Sequence, residues 1–163
     1  MYKSIIPTLL MMCLAILPIR ADYAPSHVQA ALKKLCPQAI DITWQQSNNH
    51  YIAQFEENNF DVEVWFNKQG EWLMKQTDWG NMDEVPSAIF NAYSMGEYSD
   101  YEVKDVIWVE YPQQDDIIAL IVSEPNEETT YQLLYSSNGE LIDTRDVTYL
   151  SNQRRKAQLL GTL

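Results

Sequence analysis

Two stretches of the chain, "WFNKQGEWLMK" (Trp65 to Lys75) and "LYSSNGELIDT" (Leu134 to Thr144), say nearly the same thing. Each sets one extended run against another across a glycine turn. Val62, Val64 and Phe66 alternate with Asp61, Glu63 and Trp65, a period of two that belongs to a strand with two unlike faces. Short Asn/Gly-bearing turns between such runs make antiparallel hairpins. A sheet built of hairpins is therefore the first constraint on the fold.

The text upstream of the two hairpins also matches. "APSHVQAALKKLCPQA" places Val28, Ala31, Leu32 and Leu35 on one helical stripe, opened by Pro25 and closed by Pro37. Four extended runs follow: "AIDITWQQ", "YIAQFEE", "FDVEVWF" and "EWLMKQTDW". The second half repeats that order. "VPSAIFNAYSM" carries the stripe Ile89, Phe90 and Tyr93, and then come "YEVKDVIWVEYP", "DIIALIVSE", "TYQLLYS" and "ELIDTRDV". Pro25 and Gly70 are 45 positions apart, Pro86 and Gly139 53, so the second copy is longer by eight. The fold expected is α+β, a tandem repeat of a helix plus a four-stranded antiparallel sheet. The boundaries read as a leader over 1–21, repeats over 22–80 and 81–150, and a tail over 151–163.

The leader, "MYKSIIPTLLMMCLAILPIRA", has a cation at Lys3 and an apolar run too short to span a bilayer, which takes about 20 residues. It reads as a secretory signal peptide cut after Ala21, leaving no membrane insertion in the mature chain. The chain is acidic, with a formal net charge of −12. Loss of Lys3 and Arg20 would deepen that by two. Such a charge disfavours nucleic acid and anionic lipid. The cut also removes Cys13 and leaves Cys36 alone, without an intramolecular disulfide partner. Cys36 is expected to be a small buried apolar residue.

A signal peptide followed by two helix-then-four-strand units ending in "WFNKQGEW" and "LYSSNGEL", with a "VPSAI" helix opening, resembles the PepSY-like, β-lactamase-inhibitor-like secreted proteins of Bacteroidetes-type bacteria. The resemblance spans nearly all of the mature chain. It implies two sheets joined edge to edge, both helices on one side, and a broad open face on the other. It brings no catalytic residues.

Pairing the first hairpin about Asn67 to Gly70 matches Phe66 with Glu71, Trp65 with Trp72 and Val64 with Leu73. One face then holds Val62, Val64, Phe66 and Leu73, the expected core. The other holds Glu63, Trp65, Trp72 and Met74, with Asp61 beside them. In the second hairpin Leu133, Tyr135 and Ile142 fall on the core face, and Leu134 and Leu141 take the places of Trp65 and Trp72. A solvent-facing apolar stripe of this kind marks an interaction surface, and Trp is enriched at the centre of such surfaces. The candidate partner-binding residues are thus Trp65, Trp72, Met74, Leu134, Leu141, Asp61 and Glu63, and the partner a protein or peptide.

Chemistry is sparse. His27 and His50 are the histidines, neither near a zinc-like cluster. No nucleophile elbow or phosphate-cradling glycine loop is present. Asp115-Asp116, Asp83-Glu84 and Glu127-Glu128 fall in turns. Asp78, Asn81 and Asp83 form an irregular oxygen-rich loop, short of the regular calcium pattern. "NQRRKAQ" is a basic patch in the tail, read as solvated or docked on the chain's own acidic surface. The expectation is a periplasmic or secreted, non-enzymatic binding module without cofactor. A calcium-responsive envelope protein using Asp78 and Asp83 is the alternative.

Overall fold

The computed structural model describes residues 23–47, 49–125 and 128–160. The leader lies outside them. Along the chain run α1 (Ser26–Leu35), β1 (Thr43–Ser47), β2 (His50–Glu57), β3 (Phe60–Asn67) and β4 (Trp72–Asp78). After these come α2 (Ser87–Ser94), β5 (Glu102–Glu110), β6 (Ile117–Ser123), β7 (Thr130–Ser136), β8 (Leu141–Asp146) and α3 (Asn152–Ala157). The eight strands form one antiparallel sheet in chain order. Its two halves join where β4 pairs β5, Lys75 opposite Glu110 and Asp78 opposite Ile107. Sequential antiparallel pairing of this kind needs only short connections.

Helices α1 and α2 lie on the same side of the sheet. Val28 and Leu32 of α1 are buried against Ala53, Phe55, Val62, Val64 and Phe66. Ile89 and Tyr93 of α2 are buried against Val106, Ile118, Leu120, Leu133 and Tyr135. The register carries one face into the other, because Val62 opposes Thr77, Thr77 opposes Trp108 and Trp108 opposes Ile118. Cys36 sits in the α1 cluster as expected, and burial pushes its thiol up. Lys75 emerges on this side between Glu57, at 3.3 Å, and Glu110, at 3.2 Å.

Both glycine turns dock on the helix of their own half. Gly70 has φ +86° and Gly139 φ +91°, the left-handed region in which glycine alone is unstrained. A Cβ on Gly70 would stand 3.0 Å from the His27 ring, and one on Gly139 would stand 2.7 Å from the Ala88 carbonyl oxygen. His27 and Ala88 each lie two residues beyond the proline that opens their helix. His27 Nε2 also bonds the Lys68 carbonyl at 2.9 Å, so this histidine ties turn to helix.

Candidate functional site

The hairpin register differs from the expectation in one consequential way. Phe66 opposes Trp72 and Trp65 opposes Met74, leaving Leu73 as an extra residue in β4. In the second hairpin Tyr135 opposes Leu141 and Leu134 opposes Asp143, leaving Ile142 extra. An unmatched residue flips the sense of alternation on its strand. Trp72 therefore turns to the α1 side, where it packs half-buried on that cluster. Leu141, 42 % exposed, follows Tyr135 to the α2 side. The shared solvent-facing stripe of Trp65, Trp72, Met74, Leu134 and Leu141 does not form.

Trp65, Met74 and Leu134 do lie on the face opposite α1 and α2, but they are covered. Their exposures are 2 %, 0 % and 0 %. They share a cluster with Ile52, Ile107, Val109, Tyr111, Ile117, Ala119 and Leu159, with Ala157 and Leu160 packed at its margin. The cover is the C-terminal segment, the stretch read from sequence as a tail. The physical reason is plain: eight strands expose more apolar area than water tolerates, and Leu159 and Leu160 are the aliphatic pair within reach.

The same segment is held by polar groups from three strands and the residue following β5. Lys156 meets Glu63 of β3 at 3.0 Å, and both side chains are nearly buried, 12 % and 14 % exposed. Gln76 of β4 donates to the Lys156 carbonyl at 2.9 Å. Arg145 of β8 donates to the Gln158 carbonyl at 3.0 Å, and Tyr111 to the Leu159 carbonyl at 2.5 Å. Arg145 is itself braced by Asp143 at 2.8 Å. Ser151 caps the start of α3, accepting from Arg154 N–H.

Beside α3 the face stays open as a groove of about 250 Å³, lined by Gln45, Ile52, Gln54, Glu63, Trp65 and side chains of α3. Its floor is a ladder of side chains. Gln45 donates to Gln54 at 2.7 Å and Gln54 to Glu63 at 3.0 Å. Among the described residues, four buried polar atoms of this face have no hydrogen-bond partner: Trp65 Nε1, Gln76 Oε1, and Nε2 and Oε1 of Gln132. Natural proteins leave few such atoms.

Asp61, exposed, opposes Asp78 on the same face. Burial first, then a hydrogen bond and charge from Asp78, push Asp105 up to about 6; Lys156 pulls the other way. Asp78 also accepts from Gly80 N–H, and Asn81 accepts from Asp83 N–H, so both serve as turn-formers. Among the described residues no group of three His, Cys, Asp or Glu side chains gathers as a metal would need. His50 lies 6.0 Å from Trp65, ring to ring.

The eight-stranded antiparallel sheet, with α1 and α2 on one flank and an apolar opposite face under α3, is shared with BLIP-like proteins. A BLIP-like protein from Bacteroides fragilis superposes with a TM-score of 0.74 at 31 % identity, over 80 % of this chain and 92 % of that one. Higher identity narrows the assignment. A DUF2874 family protein from Bacteroides uniformis shares 46 % identity over 80 % of this chain and 94 % of its own, with a TM-score of 0.77. The chain belongs to the DUF2874 family. A Bacteroides eggerthii protein with a provisional periplasmic assignment is 45 % identical over 81 % of this chain and 95 % of its own, TM-score 0.76. No family model and no curated protein matches the chain.

Proposed function

We propose that this chain is a periplasmic, non-enzymatic binding module of PepSY-like type, which holds a protein or peptide segment on the sheet face opposite α1 and α2. The observation that carries the reading is the apolar field of Trp65, Met74, Ile107, Ile117 and Leu134, roofed by one short segment and flanked by an open groove. A face that were only core would be closed by a full helix or second sheet. Glu63, Trp65, Met74 and Leu134 stay in the proposed surface, with Asp61 at its edge; Trp72 and Leu141 leave it. The leader-like start and the provisional assignment of the Bacteroides eggerthii relative support the compartment. Inhibition of a secreted enzyme, as the BLIP-like description of the Bacteroides fragilis relative suggests, is the specific form of this reading.

A photo-crosslinking amino acid placed at Gln45 or Gln54, in the groove, tests it in cells that export the protein. The same group at Phe90, exposed on α2, is the control. Discrete adducts from the groove positions and none from Phe90 are expected. Adducts from Phe90 alone, or from neither side, would refute the assignment of the face.

A further inference from the structure

We infer that α3 is a resident stand-in for the partner, and that the site beneath it recognises the C-terminal end of a short helix carrying Lys-x-x-Leu. This deepens the binding-module reading and rests on it. The last carbonyls of any helix lack intrahelical partners. Here Gln76 adds a second donor to the carbonyl of Lys156 in the last turn, which already accepts from Leu159 N–H, and Arg145 and Tyr111 donate to the carbonyls of residues 158 and 159 just beyond the helix. These contacts read backbone and so accept any helix end that reaches them. Side-chain selection falls to two places. Glu63, nearly buried, takes the ammonium of Lys156. The hollow among Trp65, Met74, Ile117 and Leu134 takes Leu159, which is fully buried. The two selected positions lie three residues apart, Lys156 in the last turn of α3 and Leu159 in the turn that follows it.

Two further observations mark α3 as replaceable. The helix proper buries none of its own residues fully. The four unpartnered polar atoms, from Trp65, Gln76 and Gln132, belong to this face, so α3 satisfies the field incompletely. A longer segment entering through the groove past Gln45 and Gln54 passes Trp65 Nε1 and offers it a carbonyl. Charge favours such an exchange: α3 carries Arg154, Arg155 and Lys156, while the chain as a whole stands at −12. A partner helix ending in a cation and an aliphatic residue competes for the same seat.

The test uses the mature chain, the same chain ending at Leu150, and the full-length variant Leu159→Asp. The probes are amidated fluorescent peptides. One carries residues 151–160 of this chain, and one is an alanine-based helix ending Lys-Ala-Ala-Leu. Both altered chains should keep the far-ultraviolet circular dichroism of the sheet. Both should bind either peptide at least about tenfold more tightly than the intact chain, whose own α3 competes at high effective concentration. Glu63→Lys in the shortened chain should weaken binding about tenfold, and a peptide with Lys replaced by Glu should restore it. Failure of both altered chains to fold would make α3 plain core and overturn the inference. So would folded chains that ignore the peptides, or bind equally well to one ending Lys-Ala-Ala-Ser. A concentration-dependent dimer that exchanges α3 between copies, with no peptide binding, would assign the seat to a second copy and also overturn it. Groove crosslinks from Gln54 with no peptide binding would sink this inference alone, whereas crosslinks from Phe90 alone would sink the binding face itself.

Discussion

Replacing Asp105 with Asn should stabilise the protein near neutral pH and leave it unchanged in acid. Asp105 is half-buried on β5, facing Asp78 of β4, with Lys156 of α3 as the nearby cation. Its folded pKa of about 6 lies above the ordinary 3.8. The folded state thus holds the proton more tightly than the unfolded chain. That contribution is complete below the unfolded value, fades as pH rises through about 6, and is gone above it. A displacement of about two units corresponds to about 3 kcal/mol. The carboxyl is partly solvated, so screening cuts the realised effect to about 1–2 kcal/mol. Asparagine occupies the same space, never ionises, and donates an N–H to Asp78. Asp105→Asn should therefore melt about 3–6 °C higher than the parent at pH 8, with the gap closing by pH 4. Differential scanning calorimetry at half-unit pH steps reads this directly. A variant less stable than the parent by a constant amount at every pH would refute the reasoning, since it would show a geometric defect rather than a proton released.

Gly139→Ala should cost more than Gly70→Ala in urea unfolding. Both replacements enter the left-handed region, at about 1–2 kcal/mol each, but the new methyl at 139 meets the Ala88 carbonyl at 2.7 Å whereas that at 70 meets a ring able to turn aside. A difference of about 1 kcal/mol or more is expected; equal costs would mean that the turns do not dock on the helices. Lys75→Met removes the cation shared by Glu57 and Glu110 and leaves two carboxylates facing one another. A loss of about 1–3 kcal/mol is expected, shrinking in 0.5 M salt as screening weakens the repulsion; a salt-independent loss would point to packing instead.

Much of the architecture could be read ahead because periodicity and punctuation agreed. Pro25 and Pro86 open helices that turn Val28 and Leu32, and Ile89 and Tyr93, to the sheet, while Phe90 of the expected second stripe is exposed, and strand boundaries fall within a few residues of the alternating runs. The face assignments failed at two points for one physical reason. A hairpin's alternation is known only up to the unmatched residue next to its turn, and Leu73 and Ile142 are such residues. Nothing in "GEWLMK" distinguishes a strand that continues its alternation from one that resets it, because Trp72, Leu73 and Met74 are all apolar. Counting from the far end would have been safer, since Asp61 and Glu63 point away from Val62 and Val64 and fix the parity of β3 without reference to the turn. The third helix was hidden for a different reason. Asn152–Ala157 has no apolar stripe of its own, and its anchor, Leu159, lies beyond the helical residues. The available signal was charge: three cations in succession on so acidic a chain need a carboxylate, and Glu63, paired across its strand with Gln54 and Gln76, is the one Lys156 meets. A nearly buried carboxylate implies a cation that comes to it. That logic, applied to Glu63, leads from the sequence to α3, and from α3 to the kind of segment that could replace it.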